Sequence, residues 1–597
     1  MSRFPISSAA IAATLSAFAL LSLSPTAHGQ STVAEVMDHV VTRYYADLSQ
    51  DERAALTNEA ILTSLSDEEK GILSEKYWHF DVNVPVVVTI MRHEAQEAAP
   101  FWLEASGFQK TAMKVKNEEY TYEVWQKKFD AGHVGLGING FDWHRPVYFV
   151  SVAPQTPGAV LSITNLFPAE AMVTMDKGAM TYRDWTSLVI TELPDELKGQ
   201  TLLGTFRGRA REAHLLGAFR ETPHPSSAIP DQIVLTWSED AATTQTVQWR
   251  TSTELKSGRV QYRLPGAETW LEADAAMETL QDRLLANDRY SNHYTAVLPA
   301  LTPTTAYEYR VGEPAMEVWS DIHEFRTAPE GDAPFIFGVG SDTHATEEAG
   351  KTLQAAFRFT PEMAFFVIPG DVVSYGLYRD QWDMQIGYGQ GVYERRPLMF
   401  TLGNHDNQDG LGVALPVALF EYPKNGPEGA VPETNYSFRY GNALFLMMDV
   451  GTEAKVQAAW ADKVLAESDA TWKFAVHHFT MYNPVLYHEY EALRAALIPV
   501  FDRHHVDMVF QGHIHDYMRT APLRDGKEVA SPAEGTMYIN ACAQAHRGGR
   551  QRTGPEYIKT YFQGKSSYLR IAIDGKRLNY EARGQNDEVF ESLVIEK

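Results

Sequence analysis

The chain has 597 residues, 44% hydrophobic and 11% aromatic, with 77 acidic against 52 basic side chains and a formal net charge of -25. That length implies three or four domains, and the composition is that of well-packed globular domains and not of a disordered tail. The charge disfavours nucleic acid or an anionic membrane as partner, because both need a basic surface.

In chain order, Arg3 precedes an apolar, small-residue stretch over 9–23, and Ala27, His28 and Gly29 offer small residues where a signal peptidase reads. The pattern predicts a signal peptide over 1–29 and a protein that is periplasmic or secreted from a bacterium. A membrane anchor would need ~20 apolar residues, and no later run reaches that length. The single cysteine, Cys542, excludes an intramolecular disulfide, so stability must come from packed cores.

Residues 30–225 form an N-terminal domain of unassigned role. Val33, Val36, Met37, Val40 and Val41 recur at helical spacing, and Ser66, Asp67, Glu68 and Glu69 form a helix start with acids in the first turn. Beyond Phe80 the runs 84–91, 147–152 and 159–163 are β-rich and broken by Pro and Gly. The aromatic residues Phe141, Trp143, Tyr148 and Phe149 are expected in the core rather than on a sugar-binding face. A linker over 223–230 follows, with a Ser-Ser-Ala centre. Residues 226–329 then alternate inward and outward side chains in segments such as 233–237, 246–250, 260–262, 293–298 and 307–311, the pattern of a fibronectin type III-like β-sandwich.

Over 330–597, apolar strands at 335–340, 364–368, 397–402, 443–449, 472–477 and 506–511 alternate with helical segments such as 456–465 and 490–501, and strands at 568–573, 577–583 and 589–595 close the chain. Several strands are apolar on both faces, as expected between layers of helices. The chain as a whole is multidomain, α/β and all-β.

Five short segments sit at the ends of these strands: Asp342-Thr343-His344, Gly370-Asp371, Gly403-Asn404-His405-Asp406, His477-His478 and Gly512-His513-Ile514-His515. Strand ends are where an open α/β sheet gathers its functional loops. Carboxylate oxygens and neutral imidazoles suit zinc, manganese or iron, whereas calcium prefers oxygen alone and structural zinc recruits thiolates. Two metals roughly 3.5 to 4 Å apart need a bridging ligand, which a carboxylate supplies and an imidazole does not. Asp371 is the expected bridge. His323, His504 and His505 lie outside this set and are read as structural.

With all five segments present in order, the region from about Ile229 to the C-terminus resembles the calcineurin-like metallophosphoesterase superfamily, and within it the purple acid phosphatase branch. The resemblance implies a catalytic βαβα four-layer sandwich with its sheets back to back, preceded by a sandwich domain whose loops help wall the active site. Carried over position by position, it implies that Asp342, His344, Asp371 and His515 hold one divalent ion. Asp371, Asn404, His513 and one histidine of the 477/478 pair would hold the other. In the phosphatase branch that histidine lies six residues after a Trp and four before a Tyr, a spacing reproduced by Trp472, His478 and Tyr482. This favours His478, with His477 the alternative. Coloured members carry a ligating Tyr three residues after the bridging Asp, where this chain has Ser374, with Tyr375 one place later. His344 takes that coordination position instead, and a colourless protein with two divalent metals (Zn, Mn or Fe) is expected.

Two divalent ions outweigh Asp342, Asp371 and a bridging hydroxide, which leaves a net positive hollow for phosphate. Metal binding lowers the pKa of water from 15.7 to about 7, so hydroxide is available to attack phosphorus in line. His405, next to Asn404, is the expected general acid, oriented by Asp406 through its other ring nitrogen. His488 matches a family position that faces the phosphate. The function expected is an exported dinuclear-metal phosphoesterase acting on small phosphomonoesters, with phosphodiesters as the alternative substrate. From another class, the alternative is a binding or adhesion protein with a dormant metal centre.

Overall fold

The computed structural model describes residues 32–168, 172–183, 187–408, 412–482, 490–544 and 555–597. The expected signal peptide and His488 lie outside the described residues. Among the described residues, no helix is long and apolar enough to cross a membrane.

The chain enters through the helix Val33–Asp47, which buries the expected stripe Val33, Val36, Met37, Val40 and Val41. Ser66 caps the helix Asp67–Glu75 by accepting the Glu69 N–H, while the Glu69 side chain returns to the Ser66 N–H. These helices lean on a nine-stranded sheet and a smaller one formed by Gly132–Leu136, Trp78–Val82 and Ile163–Phe167. Phe141, Tyr148 and Phe149 are core residues, as their apolarity dictates. Trp143 is not; it is half-buried, and its ring meets Tyr375 of the C-terminal region edge-on at 5.3 Å.

No helix or strand occupies residues 221–230. After them, two antiparallel sheets face each other. One runs Asp231–Thr236, Gln245–Ser252, Tyr290–Leu298 and Ala276–Gln281; the other centres on Arg259–Arg263 and Ala306–Glu313. Their inward residues, including Leu235, Val247, Trp249, Val260, Tyr309 and Val311, make one core.

The C-terminal region has two sheets. In the first, Leu398–Thr401, Phe365–Pro369 and Phe335–Val339 run parallel, and Ser567–Asp574, Arg577–Gly584 and Val589–Glu596 extend it antiparallel. In the second, Ala443–Met448, Trp472–His477, Met508–Gln511 and Met537–Asn540 form a parallel centre. The period-2 alternation of strands then sorts the side chains. Phe445, Met447, Phe474, Val476 and Phe510 face the first sheet, with Phe337 against Phe445 at 5.1 Å and Phe474 at 5.4 Å. Leu444, Leu446, Met448, Ala475 and Val509 face the helices Ala454–Glu467 and Glu491–His504. Phe366 meets Phe357 of the helix Glu347–Phe359 on the outer side of the first sheet. The stacking is therefore helix, sheet, sheet, helix, and the term βαβα describes the alternation along the chain rather than the order of layers.

Trp237 at the end of a sandwich strand inserts against Phe365 at 5.4 Å and Tyr440 at 5.4 Å. Arg379, at the start of the helix Arg379–Tyr388, reaches the buried Asp288 of the sandwich at 3.0 Å. The sandwich is thus seated on the two-sheet region through both apolar and charged contacts.

Candidate metal centre

Every motif lands on a loop leaving the C-terminal end of a parallel strand. Asp342 and His344 follow Phe335–Val339, Asp371 follows Phe365–Pro369, and Asn404 opens the one-turn helix Asn404–Asn407 after Leu398–Thr401. His478 follows Trp472–His477, and His513 and His515 follow Met508–Gln511. The loops turn sharply: Asp342, His344, Asp371, His513 and His515 have φ of 54°, 47°, 51°, 77° and 50°, a region that non-glycine residues enter at a cost and that clusters at functional sites. Glycine precedes three of the motifs because the loops touch. A Cβ on Gly512 would meet Asp342 Oδ2 at 2.6 Å, and one on Gly403 would overlap the Asp371 carboxylate.

Asp342, His344, Asp371 and His515 bring ligand atoms within 4.8 Å of one another, and so do Asp371, His478 and His513. Asp371 belongs to both groups. Asn404 joins the second, with its Oδ1 3.1 Å from His513 Nδ1. His477 is outside them; its Nδ1 accepts the Phe479 N–H at 3.1 Å, and burial, then the His478 charge, push its pKa down to about 3.

The floor is buried and the rim open. Asp342 and His478 are fully buried and Asp371 nearly so, while Asn404, His405, His513 and His515 are half-exposed. Asp371 Oδ1 accepts the His405 backbone N–H at 2.9 Å, and both Asp342 oxygens accept the His513 N–H, at 2.8 and 3.0 Å. Burial pushes the Asp371 carboxyl up, but His478, then His405 and His344, override it and hold it well below the usual carboxylate range.

The donor set fits cations for a specific reason. His478 Nδ1 lies 2.8 Å from the Pro369 carbonyl, which only accepts, so the ring proton sits on Nδ1. Nε2 is then a lone pair, buried without a hydrogen-bond partner, 3.1 Å from Asp371 Oδ2. Two acceptors in that position repel unless a positive charge lies between them. Burial lowers the His478 pKa, yet Asp371 outweighs it and raises the ring to about 9, so the anionic field asks for a proton or a metal. His344 Nε2 and His515 Nε2 face each other at 3.0 Å, with His515 Nε2 3.3 Å from Asp342 Oδ1. Burial first, against the pull of Asp371, holds His344 neutral, the form that ligates.

His405 stands at the rim, its ring edge-on to His344 at 4.7 Å. Its expected partner, Asp406, is engaged by the backbone instead. Oδ1 of Asp406 accepts the Val373 N–H at 2.9 Å, and Oδ2 accepts those of Val372 and Gly403 at 3.1 and 2.9 Å. His405 Nδ1 donates to the Ser374 carbonyl at 2.8 Å, because a carbonyl oxygen can only accept. Sequence motifs do not register that support, since any residue at 374 supplies a carbonyl. Tyr490, whose hydroxyl is 2.9 Å from His513 Nε2, was also unmarked in the sequence. The Tyr375 ring packs against Trp143 and Tyr378.

Loops from two stacked sheets that converge carboxylate, amide and imidazole donors on one shared aspartate define a dinuclear metallohydrolase centre. Residues 319–517 match the calcineurin-like phosphoesterase family, and residues 230–327 match the purple acid phosphatase N-terminal domain. The chain is 27% identical over 314 residues to purple acid phosphatase 21 of Arabidopsis thaliana, covering 50% of this chain and 69% of that one. It is 26% identical over 323 residues to a purple acid phosphatase of Glycine max, covering 50% and 67%. The structure of purple acid phosphatase PPD1 from yellow lupin seeds superposes with a TM-score of 0.54 at 14% identity, covering 87% of this chain and 93% of that one. That share exceeds what residues 230–597 alone can supply, so the likeness of fold extends into the N-terminal domain. Over residues 230–517 the chain is thus similar to calcineurin-like phosphoesterases of the purple acid phosphatase kind.

Proposed function

We propose that the protein is a dinuclear-metal phosphoesterase that hydrolyses small phosphomonoesters. The observation that carries this reading is the Asp371 carboxylate shared by two donor groups, with the bare Nε2 of His478 facing it at 3.1 Å. Asp342, His344, Asp371 and His515 would hold one divalent ion, and Asp371, Asn404, His478 and His513 the other. Such ions supply Lewis acidity toward phosphoryl oxygens and make water acidic near neutral pH.

The chain's own groups do the rest. The His405 N–H fixes Asp371 Oδ1, leaving Oδ2 directed at the shared centre. Asp342 is clamped on the floor by the His513 N–H and by the Ser341 hydroxyl. His405 carries the transferable proton on Nε2, since Nδ1–H is held by Ser374, and gives it to the departing alkoxide oxygen. Proton donation of this kind contributes roughly 10²- to 10⁴-fold. The half-exposed rim formed by Asn404, His405, His513 and His515 admits the ester.

We further read residues 226–329 as a fibronectin type III-like module and residues 1–29 as an export signal, which would make the mature enzyme periplasmic or secreted. The family likeness and the two-sheet sandwich support the first, and the charged, apolar and small-residue order of the N-terminus supports the second.

The test is metal analysis with an assay of p-nitrophenyl phosphate against its bis ester, on wild type and Asp371→Asn. Wild type should carry two metals and prefer the monoester, and Asp371→Asn should lose both metal and activity. A roughly tenfold preference for the diester, about 1.4 kcal/mol in the barrier, would reverse the substrate assignment. A metal-replete but inert wild type would favour the dormant binding protein.

A further inference from the structure

The one-turn helix Asn404–Asn407 carries both a candidate ligand and the candidate acid, and a helix this short has no persistence of its own. Its orientation must be imposed from outside. Gln408, in the left-handed region at φ 48°, closes it by donating from Nε2 to the His405 carbonyl at 2.8 Å. The Oε1 of the same amide accepts from Arg211 Nη1 at 2.6 Å, although Arg211 lies 197 residues earlier. Both side chains are buried, at 7% exposure for Arg211 and 1% for Gln408.

Arg211 is itself held in an aromatic slot. Its guanidinium carbon lies 4.4 Å from the Trp143 ring centre and 5.0 Å from that of Tyr375. Tyr375 adjoins Ser374, whose carbonyl accepts the hydrogen bond from His405 Nδ1–H. The domain that precedes residue 230 therefore touches both supports of His405. Through Gln408 it reaches the backbone carbonyl, and through Tyr375 it reaches the segment that orients the ring.

We propose that residues 32–218 clamp the proton donor, with Arg211 as a positioning residue for His405 acting through Gln408 and Tyr375. The proposal rests on the reading of His405 as general acid. An acid that protonates a leaving oxygen matters most when that oxygen is a poor leaving group, and a misplacement of about 1 Å can cost on the order of 10²-fold. General damage to the fold or to the metals would slow good and poor esters alike.

The experiment compares phenyl phosphate with dinitrophenyl phosphate, using the full-length, metal-replete protein as wild type, His405→Ala, Arg211→Ala, Gln408→Glu and the Arg211→Ala/Gln408→Glu pair. His405→Ala should lose roughly 10²-fold on phenyl phosphate and far less on the dinitrophenyl ester. Arg211→Ala should show the same selectivity at roughly tenfold, with full metal content, and the pair should be no worse than the worse single variant. Gln408→Glu keeps an ion pair with Arg211 but removes the amide donor to His405, so it carries the test if Arg211→Ala fails to fold. Equal losses on both esters, multiplicative losses in the pair, or wild-type rates in both single variants would overturn the clamp. If His405→Ala itself shows no selectivity, the assignment of the acid falls, and the clamp with it.

Discussion

Oδ1 of Asp406 accepts the backbone N–H of Val373 at 2.9 Å, while its other oxygen accepts that of Gly403 at 2.9 Å. One buried carboxylate thus staples the loop that carries Asp371 to the loop that carries Asn404. Removing it in Asp406→Ala strands buried N–H groups at about 1 to 3 kcal/mol each. The expected result is a lower melting temperature together with weaker retention of metal on dialysis. A variant with unchanged metal content and an unchanged melting point would refute the staple.

His477 and His478 are neighbours with opposite surroundings, so their alanine variants should differ in kind. His478→Ala should lose one metal equivalent and fall in kcat by at least about 10²-fold. His477→Ala leaves a small cavity and a lost contact to the Phe479 N–H, and should cost about 1 to 3 kcal/mol of stability while keeping both metals. Elemental analysis of the two purified proteins decides, and loss of metal from His477→Ala alone would exchange their roles.

Tyr375 packs its ring between Trp143 at 5.3 Å and Tyr378 at 5.4 Å. The metal-replete protein should therefore show no tyrosinate charge-transfer band, with iron as with zinc. The visible spectrum of Tyr375→Phe should superpose on that of wild type. A band that vanishes in this variant would return Tyr375 to the coordination sphere.

Glu433, far from the metals in sequence, is buried, and burial and then the neighbouring Glu421 push its carboxyl up to about 7 despite Lys424 at 3.1 Å. Because the folded value lies above the unfolded one, the folded state binds more protons between about pH 4.5 and 7, and stability falls as pH rises through that window. Glu433→Gln removes the titration. Relative to wild type, it should gain stability at pH 8 over pH 5, on the order of 2 kcal/mol by thermal or urea unfolding. A pH-independent difference would show that Glu433 is ionised throughout.

The candidate metal ligands are legible because their types and spacing are dictated by coordination chemistry, and each motif sits in one stretch of sequence. The structure gathers Asp342, His344, Asp371, Asn404, His478, His513 and His515 around one hollow. The support beneath them was not legible. Asp406 looks like a partner for His405 when only adjacency is visible, whereas the folded backbone offers it N–H groups from residues 372, 373 and 403. Likewise Trp143 has the composition of a core residue, and nothing local tells it apart from Tyr148. Its neighbour Tyr375 lies more than two hundred positions away, and such a pairing exists only once the N-terminal and C-terminal regions have met. The helical stripe from Val33 to Val41 and the cap at Ser66 were readable for the opposite reason: their determinants lie within a few residues of one another.

The left-handed main chain at Asp342, His344, Asp371, His513 and His515 has a consequence for how the protein matures and fails. Each such residue is unfavourable by on the order of 1 to 3 kcal/mol, and the lone pairs they aim inward repel one another. Cation uptake should then be coupled to closure of these loops. Chelation should soften the whole rim instead of leaving a rigid vacant socket, and recovery after adding metal back should proceed at the pace of loop refolding, well below that of ion diffusion.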